Sequence, residues 1–257
     1  MRKLIGLIFC VSLLVSCGKN SNENNDYWSC EQLLDTDGLK LYSFVPFTDE
    51  ELRTLPYFEG KLPRRQIPED FLHKMTTKEL FYQVVYTDLS KSMGVFNTRQ
   101  QGFEAVTQQL NMLPELLNRP DAGHVLLGLL KKVDPSKMNS NLSKDVDCFW
   151  WDYCLQIILA QTKIINRMTD EEIDRYIDEQ LRCHDIIKSF DNEYPISVAL
   201  HLFGLGNVMI RYNYTPFIKT LGKNPVTNES YWDTQFINEQ YALQILDFVK
   251  QFRKVKR

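Results

Sequence analysis

The most reactive side chains in this sequence are its six cysteines, Cys10, Cys17, Cys30, Cys148, Cys154 and Cys183. Zinc chemistry would need thiolates and imidazoles clustered at ligand spacing. The chain holds no C-x₂-C and no H-E-x-x-H. Cys183 and His184 are adjacent, and Cys148 and Cys154 could approach them. Neighbours on a helix diverge by about 100°, which suits a shared tetrahedral site poorly. Asp70 and His73 have i, i+3 spacing but lack the paired Glu and repeated Glu-x-x-His of a di-iron bundle. Neither a metal nor a cofactor is expected.

Hydrolytic and nucleotide chemistry find no better footing. There is no G-x-S-x-G and no P-loop. Gly204-Leu205-Gly206 begins like a dinucleotide fingerprint, but Met209 stands at the third glycine position and no strand precedes it. Those glycines instead suit a close approach of two helices. Asp35-Thr36-Asp37-Gly38 starts like a calcium loop, yet the Gly comes too early and Phe44 replaces the closing Glu, so a tight turn is expected. The pairs Asp145/Asp147, Glu171/Glu172 and Asp185/Asp191 read as solvated faces, since a glycosidase needs two carboxylates facing across a cleft. Trp150, Trp151 and Tyr153 could form a sugar platform, but packing in a core is the ordinary use of such residues. No catalytic residue is assigned.

The elements that position these residues are helical. Thr76 with Glu79 and Thr169 with Glu172 are capping boxes, and Thr98 with Gln101 starts another helix. Pro68, Pro114, Pro120 and Pro195 mark further helix starts. Leu80, Phe81, Val84, Val85 and Leu89 follow the 3.6-residue period. Asp145 to Met168 reads as one long helix with apolar residues nearly all round its middle, the pattern of burial on several sides. Trp232 to Lys254 reads as the last helix, after loops at 133–144 and 215–230. Short links favour antiparallel neighbours, so the expected fold is all-α: stacked antiparallel αα-hairpins over residues 67–257. Residues 27–66 read as an irregular, aromatic-rich segment packed on that domain, with a short strand over Leu39–Val45.

The cysteines add a geometric constraint. Cys148 and Cys154 lie about 9 Å apart along one helix, too far for a disulfide. Cys154 and Cys183 stand at nearly equal distances from the turn at Thr169, so an antiparallel hairpin brings them near one another as a candidate bond. Cys30 and Cys148 are then the second candidate pair; four cysteines allow three pairings, and free buried thiols are the alternative.

The first residues carry an export pattern. Arg2 and Lys3 precede an apolar run from Leu4 to Val15, closed by Leu14-Val15-Ser16-Cys17. The run is too short to span about 30 Å of hydrocarbon. Its end resembles the lipobox of bacterial lipoproteins, which implies cleavage after residue 16 and a diacylglycerol, with its palmitate-like chains, on Cys17. Two acyl chains give stable anchoring. Residues 17–26 then form a polar tether, because GKNSNENND holds no apolar residue.

Removing residues 1–16 leaves 241 residues and takes the formal charge from −3 to −5. No basic cluster of nucleic-acid type appears; Arg253, Lys254, Lys256 and Arg257 read as a solvated helix end. With export, this argues against nucleic acid as a partner.

Residues 67–210 resemble a group of helical domains from exported, often lipid-anchored proteins of Bacteroides-like bacteria. The residues that carry the likeness are Ile67-Pro68, Met75-Thr76, Glu79-Leu80, Gly102-Phe103, Val106, Leu116 to Gly123 (LLNRPDAG) and Leu155 to Gln161 (LQIILAQ). The resemblance implies a fold and an origin and carries over no catalytic residue; Arg119 and Asp121 fit a cap and an ion pair. The expected protein is a lipid-anchored envelope component of the outer membrane, facing periplasm or exterior. It would be a non-catalytic module for an envelope protein or glycan, the alternative being an envelope hydrolase acting on glycan or peptide.

Overall fold

A computed structural model describes residues 27–96, 98–135, 146–188, 195–222 and 239–256. The export segment, Cys17, the tether, Asp145, Asp191 and Trp232 lie outside the described residues. Among the described residues the fold is all-α, with no strand.

The N-terminal part contains more regular structure than its sequence suggested. Helix α1 (Cys30–Leu34) is closed by a capping box of Ser29 and Gln32, and α2 (Asp49–Thr54) by one of Thr48 and Glu51. Between them the turn at Asp35–Gly38 forms. Gly38 takes φ +78°, the Leu39 N–H donates to the Thr36 carbonyl, and the Asp37 N–H donates to the Asp35 carboxylate. This is a turn with glycine where φ must be positive. Tyr57–Lys61 and Pro63–Arg65 continue as a single π turn and a 3₁₀ turn.

The strand expected over Leu39–Val45 is not there. The chain is extended, but it pairs with side chains of α4 (Thr77–Val85) instead of a neighbouring strand. The Lys40 N–H donates to Glu79 Oε1 at 2.8 Å. The Tyr42 N–H donates to Gln83 Oε1 at 2.7 Å, and Gln83 Nε2 returns a bond to the Tyr42 carbonyl at 3.3 Å. The spacing explains the fit: four residues of helix rise about 6 Å, and two residues of extended chain span nearly the same length. Further along, the Asn111 side chain accepts from the Ile67 N–H and donates to the Ile67 carbonyl, the Asn111 N–H donates to Gln66 Oε1, and the Tyr57 hydroxyl donates to Gln109, so residues 109–111 hold the end of the segment.

The body comprises α3 (Glu69–Leu72), α4, a 3₁₀ stretch (Asp88–Val95), α5 (Arg99–Thr107), α6 (Met112–Asn118), α7 (Ala122–Leu130), α8 (Val146–Leu159), α9 (Thr162–Ile165), α10 (Asp170–Lys188), α11 (Pro195–Arg211), α12 (Thr215–Phe217) and α13 (Glu239–Lys256). The boxes Thr76/Glu79 and Thr169/Glu172 form, and the Thr98 hydroxyl accepts from the Gln101 N–H. Helix α4 packs on α6, α7 and α8, while α11 packs on α8, α10 and α13. Residues 151–161 are all buried, as their nearly all-round apolar character requires.

The single helix expected from Asp145 to Met168 is broken. It stops at Leu159, and Gln161 takes extended backbone as the cap of α9. Asn207 of α11 donates to the Ala160 carbonyl at 2.8 Å, and Gln161 donates to the Ile157 carbonyl at 2.9 Å. Side chains satisfy the carbonyls that the helix end leaves without intrahelical partners, so the break is made by tertiary contact. Among the described residues, no helix is long and apolar enough to cross a membrane.

Candidate functional site

The most concentrated chemistry lies in a buried polar ring between α8, α10 and α11. Asp152 and Gln156 share one face of α8, four residues apart. Gln156 Nε2 donates to Asp152 Oδ1 at 3.0 Å. Gln180 Nε2 of α10 donates to Gln156 Oε1 at 2.6 Å. His201 Nδ1 of α11 lies 3.2 Å from Gln180 Oε1, and its Nε2 lies 3.6 Å from Asp152 Oδ2, which closes the ring. Gln180 Oε1 can only accept, so Nδ1 carries the His201 proton and Nε2 presents a lone pair to Asp152. The 3.6 Å gap to Asp152 is longer than a hydrogen bond, so the two groups face each other without one.

Burial sets the protonation of both groups. Asp152 is 7% exposed and His201 1%. Desolvation pushes Asp152 up to about 6, against the Gln156 hydrogen bond and the charge of Arg182, which both favour the carboxylate. Desolvation pushes His201 down to about 3, assisted by the positive fields of Arg182 and His184. Arg182 itself bonds Glu179 and the Val133 carbonyl and stacks on Tyr27. The ring sets an acid and an imidazole side by side in a buried site. Its four members are at most 7% exposed, so its geometry ties three helices together rather than presenting groups to solvent.

Of the dinucleotide-like glycine pair, Gly204 has the packing role. A Cβ at Gly204 would collide with the Tyr176 hydroxyl, so only glycine lets α11 approach α10 beside the ring.

A disulfide joins Cys30 to Cys148, with Cα atoms 5.7 Å apart. The bond expected between Cys154 and Cys183 is absent: both are free, buried thiols. Gln156 meets Gln180, so α8 and α10 touch, but equal distance from a turn does not fix which way a side chain points. Asp152 and Gln156 face the ring, and Cys154 lies about 200° round the helix from Asp152, where its thiol reaches Ser90. Cys183 sits near Arg182 and Asp152. Burial raises Cys154 to about 12 and Cys183 higher still, so neither is an activated nucleophile.

The aromatics of α8 divide by face. Trp151 is fully buried against Phe81 and Tyr82. Phe149, Trp150 and Tyr153 form a second cluster, with ring centroids 5.0–5.9 Å apart, and the Trp150 ring lies over Gly94. His73 and Asp147 are exposed, and Asp147 pairs with Lys91. Arg119 caps the end of α3 through the carbonyls of Leu72, His73 and Met75 and pairs with Glu115. Asp121 accepts from the Thr77 hydroxyl at 2.5 Å. Arg253 and Lys256 pair with Asp178 and Asp174 of α10. Among the described residues, no group of three or more His, Cys, Asp and Glu could hold a metal ion.

The ring escaped sequence reasoning because its members come from three helices. The one local signal was a polar pair, Asp152 and Gln156, one turn apart in an otherwise apolar helix. No family model, curated protein or solved structure matches the chain.

Proposed function

We propose that this chain is a lipid-anchored component of a bacterial cell envelope, held through Cys17 on the outer membrane, and that it works as a non-catalytic binding module for an envelope protein or a glycan. The observation that carries the reading is Leu14-Val15-Ser16-Cys17 at the end of a short apolar run, followed by nine residues with no apolar side chain. The Cys30–Cys148 disulfide supports it, since such bonds persist in exported proteins and are rare in the cytosol. Kinship with helical lipoproteins of Bacteroides-like bacteria is part of the same proposal. The test is palmitate labelling of the native protein and of Cys17→Ala, with mass spectrometry of the mature N-terminus. Label on the wild type alone, with cleavage after Ser16, is expected. An uncleaved, unmodified N-terminus overturns the reading.

One observation favours the hydrolase as second reading. Asp152, pushed up to about 6 beside His201, has the environment of a general acid. That reading requires α8 and α11 to part and admit substrate. Release of sugar or peptide from envelope material by the wild type, and not by Asp152→Asn, would promote it over the first.

A further inference from the structure

We infer that the exposed apolar cluster around the first turn of α8 docks onto the lipid surface to which the chain is anchored, so that the domain lies against the bilayer in one orientation. The inference rests on the anchoring proposed above.

The cluster's exposed members are Tyr86, Val95 and Phe96; Phe149 and Trp150 are half-buried and packed on the core behind them. Val95 is 79% exposed and Phe96 42%, and both directly follow Gly94, which the Trp150 ring covers. Tyr86 is also exposed and feels the charge of Asp147 in the same first turn of α8. Tryptophan, tyrosine and phenylalanine are the residues suited to a membrane interface, where an apolar ring meets a wet headgroup layer.

The entry of the chain identifies the occupant. Tyr27 stacks on Arg182, the Trp28 N–H donates to the Lys132 carbonyl, and Cys30 is bonded to Cys148, two residues before Trp150. Through Cys30 the N-terminal part is fastened to the first turn of α8, which also carries Phe149 and Trp150. Nine residues separate Cys17 from Tyr27, so the two can be at most about 35 Å apart. A link that short keeps the cluster close to the anchored end, so weak apolar contacts suffice.

A second exposed site supplies a control. Val255, 75% exposed, neighbours Lys256, which pairs with Asp174 near the start of α10, an element that carries none of the cluster.

The test uses the full lipidated protein in vesicles of phosphatidylethanolamine with some phosphatidylglycerol. An environment-sensitive fluorophore is placed at Val95→Cys or at Val255→Cys. Because docked apolar groups reach about 5–10 Å into the interface, a lipid carrying a shallow quencher should dim the Val95 label about twofold. The Val255 label should not respond. Phe96→Asp should weaken the quenching at Val95 while the protein still floats with the vesicles. Flotation with an unquenched Val95 label overturns the docking and leaves the anchoring intact. Failure to float overturns the anchoring and the docking with it. Shielding of Val95 that follows protein density and ignores the lipid quencher assigns the cluster to a second copy and overturns the docking.

Discussion

Replacing Asp152 by Asn should change how stability depends on pH, in a direction the ring dictates. Asn keeps an oxygen for Gln156 Nε2 and turns an N–H toward His201 Nε2, as the neutral acid does. The folded pKa of Asp152 is raised from 3.8 to about 6. The folded state therefore holds a proton that the unfolded state has lost between about pH 4 and 6. The contribution of Asp152 is fully present below pH 4 and is lost as pH rises through about 6. A shift of about two units corresponds to about 3 kcal/mol. His201 runs the other way: its pKa falls from 6.5 to about 3, so its stability is present above pH 6.5 and is lost as pH falls toward 3. The wild-type profile mixes these two slopes, but the difference between wild type and Asp152→Asn isolates the first. Urea denaturation of both proteins from pH 4 to 8 should show the variant gaining on the wild type by about 3 kcal/mol up to pH 7, then levelling. A difference that stays flat across that range would refute the raised pKa of Asp152.

Removing the disulfide with Cys30→Ser and Cys148→Ser opens a closed loop of 118 residues. The chain-entropy relation puts the loss at about 5 kcal/mol, a fall in Tm of about 10–20 °C by circular dichroism for a chain of this size. Gly204→Ala forces a methyl group into the Tyr176 hydroxyl and should cost about 1–3 kcal/mol in urea denaturation. Adding Tyr176→Phe should restore part of that loss, because it removes the colliding oxygen. Cys154 and Cys183, buried and protonated, should resist iodoacetamide in the native protein and react once it is denatured, as read by mass spectrometry.

What could be read from the sequence was what depends on residues near one another in the chain. Thr76 with Glu79 and Thr169 with Glu172 announce helix starts because each box is complete within four residues. The turn at Gly38 follows from one glycine and two aspartates. The break after Leu159 was hidden because Asn207, which holds the Ala160 carbonyl, lies 47 residues away. Equal distance of Cys154 and Cys183 from the turn at Thr169 says nothing of direction around either helix, and Cys154 turns toward Ser90. The polar ring needed three helices at once, so beyond the pair Asp152 and Gln156 on α8, nothing near His201 in the chain marked it.

The seating of residues 40–42 on α4 has a wider meaning. An isolated β-type segment normally exposes a row of hungry amides that invites pairing with foreign chains. Here a carboxylate and an amide, one helical turn apart, present hydrogen-bonding groups at nearly the repeat a strand would offer. A helix bearing Glu-x-x-x-Gln along one edge can thus impersonate the missing neighbour, and an all-helical protein can carry a stretch of sheet-forming sequence without building a sheet.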